Sequence, residues 1–381
     1  MPGIGFARAM KALSMRLLLL LIAPVASLPA ADRPGSDGYL LALPGYEFAF
    51  PRDHGSHEGY RTEWWYFTGH LTSEKGRRYG FELTFFQVGT PAAVAAAADS
   101  RWAFRHLALA HFAITDPTEK QFRYYEKANR VSPFTAGAAA THLDVFNEGW
   151  RATTSPNGSW RLVAAEGGDA IDLALRASKP PAVHGTAGVS IKAPIEGFAS
   201  HYYSMSRLEV EGTLRIRGRE VEKVRGLAWM DHEFGSSALR ESQVGWDWFS
   251  VQLENDTELM LYIIRRRDGS PDVTSSGSLI TPDGAVIRIG AGQMAVRPLR
   301  RWRSSASGAT YPMGWQIDVP GLGVSLALEP VLENQELITR RSTGVTYWEG
   351  AVRVSGSSGN VAVRGVGYVE MTGYDRAVRL P

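Results

Sequence analysis

The chain has 381 residues, no cysteine and a formal net charge of +2. That length suggests two domains of ~100–200 residues each, long enough to bury cores without disulfide or metal staples. The lack of cysteine excludes thiol nucleophiles, iron–sulfur clusters, cysteine-based zinc sites, disulfides and a lipidated cysteine anchor.

Arg8, Lys11 and Arg16 precede the apolar run Leu17 to Ala23, and Val25-Ala26-Ser27 follows with small residues. That order is that of a cleavable signal peptide over residues 1–27, and the run is far short of the ~20 residues a membrane span needs. Cleavage removes three basic and no acidic side chains and leaves a net charge of −1. The expectation is a periplasmic or secreted protein with no transmembrane segment after cleavage. A near-neutral surface gives no reason to expect a nucleic-acid partner.

Beyond the leader the apolar pattern has period 2. Tyr79 to Gln87, Leu208 to Ile216, Glu258 to Ile264 and Ala351 to Val354 alternate as half-buried strands. Pro156-Asn157-Gly158, Asp268-Gly269, Pro282-Asp283-Gly284 and Gly356 to Gly359 mark turns between them. Only Pro91 to Ala98 is alanine-rich enough for a short helix, and it suits a loop equally well. With 40 glycines, above the ~7% of ordinary proteins, the composition agrees with an all-β chain.

Two strings occur twice. Trp64-Trp-Tyr-Phe-Thr-Gly-His-Leu71 matches Trp246-Asp-Trp-Phe-Ser-Val-Gln-Leu253 at an offset of 182, and Val224-Arg-Gly-Leu-Ala-Trp-Met-Asp231 matches Val363-Arg-Gly-Val-Gly-Tyr-Val-Glu370 at an offset of 139. On a strand, alternate residues share a face. Trp64, Tyr66, Thr68 and His70 therefore correspond to Trp246, Trp248, Ser250 and Gln252, and Trp229 and Asp231 to Tyr368 and Glu370. Repetition in the same order predicts a duplicated unit: an N-terminal domain over residues 45–235 and a C-terminal domain over 245–376. Many short strands closed against exposed edges suggest antiparallel β-barrels.

No nucleophile elbow, phosphate-binding loop, dinucleotide fingerprint or zincin motif is present, and no cofactor is called for. Asp53, His54 and His57 have metal-ligand chemistry, but the same residues suit a loop whose polar groups bond the backbone. Asp231, between Trp229 and Glu233 on one strand face, is the more informative acid. Buried among rings, its carboxyl stays protonated near neutrality; paired with Arg225 it would instead ionise. As an acid it would protonate an alkene, with aromatic faces worth ~2 kcal/mol each to the resulting cation when desolvated. His201 and Tyr203 are the expected partners, His201 orienting the incoming water. Trp64, Tyr66, His232, Glu233, Trp246 and Trp248 are the expected pocket wall.

Phe50-Pro-x-Asp-His-Gly-x-His57, Arg61-Thr-Glu-Trp-Trp-Tyr-Phe-Thr-Gly69, His201-Tyr-Tyr-Ser204 and Gly226-Leu-Ala-Trp-Met-Asp-His-Glu-Phe-Gly235 resemble the AttH-like, carotenoid 1,2-hydratase-like family, whose members are often labelled secreted hydrolases. Tyr347-Trp-Glu-Gly350 and Gly367 to Tyr374 resemble its second half. The resemblance implies two tandem lipocalin-like (calycin) antiparallel β-barrels. In carotenoid hydratases a His-x-Trp string and a Tyr-x-Asp string supply the acid site that adds water to a terminal isoprenoid double bond. Here His201-Tyr202-Tyr203 and Trp229-Met230-Asp231 stand at those positions, with Tyr203 in place of the Trp and Trp229 in place of the Tyr. The AttH-like branch resembles soluble companions of lipoprotein-type ABC exporters.

Two functions follow as expectations. One is a periplasmic hydratase or hydrolase acting on an apolar, lipid- or isoprenoid-like molecule by acid catalysis in a barrel pocket, with Asp231, His201, Tyr203 and Trp229 as its machinery. The other is a non-catalytic carrier of a lipid or other hydrophobic molecule, working with an ABC exporter permease. An accessory role through the outer barrel surface or the groove between the domains is a third reading.

Overall fold

The computed structural model describes residues 33–90, 104–186, 188–236 and 239–379; the leader-like segment and Pro91 to Ala98 lie outside them. The chain forms two antiparallel sheets in succession, each curled into a near-barrel, with three-residue 3-10 turns as the helical elements of the described residues. This is the all-β, lipocalin-like pair expected from the sequence.

The first sheet contains β1 (Thr62–Ser73), β2 (Arg78–Gly89), β3 (His106–Asp116), β4 (Gln121–Arg130), β5 (Ala136–Ala138), β6 (Asp144–Asn147), β7 (Trp150–Thr154), β8 (Trp160–Glu166), β9 (Asp169–Ala177), β10 (Ala182–Val183), β11 (Ser190–Ile191), β12 (Ala199–Arg215) and β13 (Val221–Gly235). Its order is β4-β3-β2-β1-β13-β12-β9-β8-β7-β6-β5, with β10 and β11 added beside β12. The second sheet contains β14 (Gln243–Leu253), β15 (Glu258–Arg266), β16 (Ser276–Ile280), β17 (Val286–Gly290), β18 (Ala295–Arg303), β19 (Thr310–Val319), β20 (Val324–Pro330), β21 (Glu336–Ile338), β22 (Thr346–Ser358) and β23 (Val361–Thr372). Its order is β17-β16-β15-β14-β23-β22-β20-β19-β18, with β21 on β22. The edge strand β18 carries Arg297, Pro298, Arg300, Arg301 and Arg303, residues that discourage pairing with another chain.

Alternation along each strand sends one set of side chains inward and the other outward. Trp65, Phe67, Phe81, Leu83, Phe85, Phe112 and Trp150 fill the first sheet's interior. Phe249, Leu261, Tyr311, Trp315, Leu326 and Trp348 fill the second. The expected barrel pocket is therefore corrected: both interiors are packed side-chain cores. The outward set of one sheet meets that of the other, so Tyr66, Tyr202, Trp229, Trp248, Tyr262 and Tyr368 form a third cluster between the sheets.

The repeated strings occupy equivalent places. Tyr66 pairs with Asp231 and Thr68 with Trp229 across β1 and β13; Trp248 pairs with Glu370 and Ser250 with Tyr368 across β14 and β23. The Val-Arg-Gly string recurs for a steric reason. A Cβ on Gly226 would lie 1.8 Å from the His70 carbonyl oxygen, and one on Gly365 would lie 2.3 Å from that of Gln252, so only glycine allows the strands to approach this closely. The join between sheets repeats the equivalence. His70 Nε2 donates to Gly367 O at 2.7 Å, and Gln252 Nε2 donates to Ala228 O at 2.9 Å. Burial keeps His70 neutral, its pKa lowered to about 4. Residue i of one copy touches residue j of the other and the reverse also holds, the signature of an isologous two-fold contact, here within a single chain.

Candidate active site

A pocket opens at this join. Its free space, mouth included, is about 1220 Å³, and its wall takes Trp64, Tyr66 and Phe86 from the first sheet and Trp246, Trp248 and Tyr262 from the second. Six acidic residues line it: Glu63, Glu82, Asp231, Glu233, Glu349 and Glu370. An apolar concavity with a few converging polar groups is the usual form of a small-molecule site.

Asp231 is 4% exposed and is held by three donors. The Tyr202 hydroxyl donates to Oδ2 at 2.6 Å, the Trp229 indole N–H donates to Oδ1 at 2.6 Å, and the Ser204 hydroxyl also donates to Oδ1. Burial pushes its pKa up to about 7, against the pull of these three hydrogen bonds and with the charge of Glu233 adding to the rise. Arg225, the alternative partner, is exposed farther along β13 and opposite Thr72 and Glu211. A carboxyl with that pKa exchanges its proton near neutral pH, which is what general acid–base catalysis requires.

Behind Asp231 lies a relay that the sequence reading missed. His184 Nε2 lies 2.7 Å from the Ser204 hydroxyl, and its Nδ1 lies 2.9 Å from the Ser278 hydroxyl. Burial, aided by the positive charge of Lys192, lowers the His184 pKa to about 3, so the ring is neutral. Ser204 spends its hydroxyl proton on Asp231, so His184 must donate from Nε2. Trp248 Nε1 donates to the Tyr202 oxygen at 3.0 Å, fixing that hydroxyl from the other sheet. Lys192, also absent from the expected set, lies 2.7 Å from Glu233 and 4.4 Å from the Tyr262 ring centre. Burial lowers the Lys192 pKa, but Glu233 outweighs it and leaves it raised.

Across the pocket, burial pushes Glu370 up to about 8, offset in part by the Trp246 indole N–H, which donates at 3.2 Å. Burial likewise lifts Glu82 to about 7 against donors Thr84 and Tyr347. Glu349 is raised further by burial and by the charges of Glu82 and Glu370.

The expected residues divide by strand face. Trp64, Tyr66, Glu233, Trp246 and Trp248 line the pocket with Asp231, and Trp229 bonds to it. His201, Tyr203 and His232 do not join them, and this corrects the expected grouping. In the β12–β13 register Ser204 pairs with Asp231 and Tyr202 with Glu233, while Tyr203 pairs with His232 and His201 with Phe234. Neighbours along a strand point to opposite faces, so His201 and Tyr203 lie on the inner side. There His201 stacks on Tyr46 at 4.3 Å and its Nδ1 lies 2.9 Å from Gly188 O. Tyr202, one residue away from each, is the tyrosine that reaches the acid. Strand parity alone would have grouped Tyr202 with Ser204, but not with Asp231.

The inner face holds its own polar cluster. The Tyr203 hydroxyl lies 2.7 Å from His54 Nδ1 and 3.0 Å from His232 Nδ1. His232 Nε2 and His57 Nδ1 meet Glu63 Oε1 at 2.8 and 2.7 Å. Burial lowers the His57 pKa, but Glu63 and Asp53 outweigh it and hold it at about 9; burial raises Glu63, but the two histidines bring it to about 2. Among the described residues, His57, Glu63 and His232 are the group whose ligand atoms, within 4.8 Å of one another, have the spacing to hold a metal ion. They also satisfy one another, His57 and Glu63 as an ion pair and His232, its pKa lowered by burial, as a hydrogen-bond partner. The Asp53, His54 and His57 grouping does not converge, because the His54 ring is turned to Tyr203.

The family model described as AttH-like matches residues 41–374. Kievitone hydratase from Fusarium solani subsp. phaseoli is 26% identical over 249 residues, spanning 62% of this chain and 67% of that protein. A crystal structure of an AttH protein from Nitrosomonas europaea superposes with a TM-score of 0.78 at 31% identity, covering 88% of this chain and 99% of the other. The structure of kievitone hydratase from Nectria haematococca superposes with a TM-score of 0.65 at 16% identity, covering 91% and 97%, and that likeness is one of fold. The chain is thus hydratase-like in sequence.

Proposed function

The chain belongs to the AttH-like family, and from its pocket we propose that it adds water to a carbon–carbon double bond of an apolar, lipid- or isoprenoid-like molecule. The observation that carries this reading is Asp231: a buried carboxyl with a pKa near 7, at the wall of a ring-lined chamber. Protonated Asp231 gives its proton to one alkene carbon, and the positive charge develops on the other. The faces of Trp64, Tyr66 and Trp248 stabilise that charge without offering a nucleophile. Water then bonds to the cationic carbon and loses a proton to the Asp231 carboxylate. The acid is restored, the net change is the addition of one water, and nothing is oxidised or reduced. Tyr202, Ser204 and Trp229 stabilise the transient carboxylate, as donors placed in advance do in a dry site.

The leader-like segment and the family resemblance support export, with a periplasmic place beside a lipoprotein-type ABC exporter. The test is incubation of the purified protein with lipid extract of its native host in ¹⁸O-water, followed by mass spectrometry. Wild type is expected to produce a species heavier by one labelled water, and Asp231→Asn to lose that activity by about 10³-fold. A molecule that co-purifies chemically unchanged with both proteins, and no labelled product, would establish a carrier instead.

A further inference from the structure

Four of the six pocket acids have their needs met inside the protein. Glu63 is bound by His57 and His232. Glu233 is bound by Lys192 and Ser200, Asp231 takes three donors, and Glu370 takes the Trp246 indole. Glu82 and Glu349 differ. Glu82 Oε1 accepts from the Thr84 hydroxyl at 2.8 Å and the Tyr347 hydroxyl at 3.3 Å, and Glu349 Oε1 accepts from the Tyr66 hydroxyl at 2.5 Å. The second oxygen of each, Oε2, is buried with no hydrogen-bond partner among the described residues, and the two residues are 1% and 0% exposed. They come from opposite sheets, Glu82 from β2 and Glu349 from β22, and both line the pocket.

Buried polar atoms in native proteins are nearly always partnered, so an orphan at a pocket wall needs an explanation. No lysine, arginine or histidine forms an ion pair with either carboxyl among the described residues, and each repels the other's charge. Below pH 7 both are therefore neutral acids. Their Oε1 atoms already accept, so the proton of each resides on Oε2, and a carboxylic O–H there is a strong donor without an acceptor. An apolar wall with two unused O–H donors fits a ligand that brings an oxygen to that end.

We propose that Glu82 and Glu349 form a donor subsite that grips a hydroxyl or carbonyl oxygen of an otherwise apolar substrate and thereby sets which double bond lies against Asp231. The inference rests on the hydration chemistry for its purpose, but the oxygen grip is measured by binding alone. Geraniol, its hydrocarbon analogue 2,6-dimethylocta-2,6-diene and geranylamine serve as probes at pH 5.5, where both carboxyls are protonated, with affinity read from quenching of the pocket tryptophans.

Wild type is expected to bind geraniol at least tenfold more tightly than the hydrocarbon. Glu82→Met and Glu349→Met, which keep the bulk and remove the donor, should each cut that preference to threefold or less. Glu82→Gln, which keeps an N–H donor, should retain most of it and shows that the fold is intact. Equal binding of alcohol and hydrocarbon, or no binding of either, overturns the subsite. Stronger binding of geranylamine than of geraniol also overturns it, since the carboxyls would then act as anions. Asp231→Asn should keep the preference, so a failed hydratase with an intact oxygen preference remains distinguishable from a failed subsite.

Discussion

The two copies of the repeat place a carboxyl at the same position and surround it differently. Asp231 and Glu370 occupy equivalent points of β13 and β23, facing Tyr66 and Trp248 in the same register. Opposite Asp231 on the neighbouring strand is Ser204; opposite Glu370 is Glu349. A hydroxyl beside the first acid donates to it and stabilises its charged form, whereas the carboxyl beside the second, Glu349, is itself raised by the charge of Glu370. The next outward position is tyrosine in both copies, Tyr202 and Tyr347, but Tyr202 donates to Asp231 while Tyr347 donates to Glu82. One register thus supports an acid able to cycle between its two forms in the first copy and a pair of carboxyls, Glu349 and Glu370, raised above it in the second. Duplication supplied the geometry, and a few side chains divided the tasks.

The largest expected effect tests this division directly. With a turnover assay in hand, Glu370→Gln should lower the rate by no more than about tenfold, against about 10³-fold for Asp231→Asn, the span that general acid–base catalysis covers. Comparable losses in the two variants would mean that the copies share the chemistry.

A smaller effect appears in stability. Asp231, Glu82 and Glu370 have folded-state pKa values raised to about 7, 7 and 8 from ordinary values of 3.8, 4.5 and 4.5. Their stabilisation is fully present below pH 4 and is lost as pH rises through 7 to 8. His57, raised to about 9 from 6.5, adds a loss above neutrality. Glu63, lowered to about 2 from 4.5, behaves in the opposite sense, stabilising above pH 4.5 and failing as pH falls towards 2. Thermal unfolding followed by circular dichroism should therefore show a midpoint falling by about 5 °C or more from pH 5 to pH 9, given ~2–4 °C per kcal/mol for a chain of this kind. Glu370→Gln, neutral at every pH, should flatten that slope and leave the acid limb unchanged. An unaltered slope would mean that Glu370 is ionised throughout.

The smallest expected effect concerns the inner face. His201→Ala removes the ring stacked on Tyr46 and should change the turnover number by less than about threefold, though it lowers the unfolding midpoint. A loss close to that of Asp231→Asn would return His201 to the chemistry and contradict the strand parity.

Much of this was legible in advance. The period of 2, the two repeated strings and their offsets follow from residue order, because an alternating strand must present Trp64, Tyr66, Thr68 and His70 on one side whatever it packs against. Asp231 stood out for the same reason, flanked on its own face by Trp229 and Glu233. Chain order alone also separates Tyr202 and Ser204 from His201 and Tyr203. It does not say which of these two sets meets Asp231, since that depends on the β12–β13 register, and a shift of one residue exchanges every side chain between faces. Tertiary structure settled three further matters. The interiors were filled by large side chains on both sheets, which moved the pocket to the join. His184 and Lys192 came from the short segments around β10 and β11, where no periodicity marks them. The orphan oxygens of Glu82 and Glu349 exist only because two sheets close over them, and burial of that kind is a property of packing between distant strands.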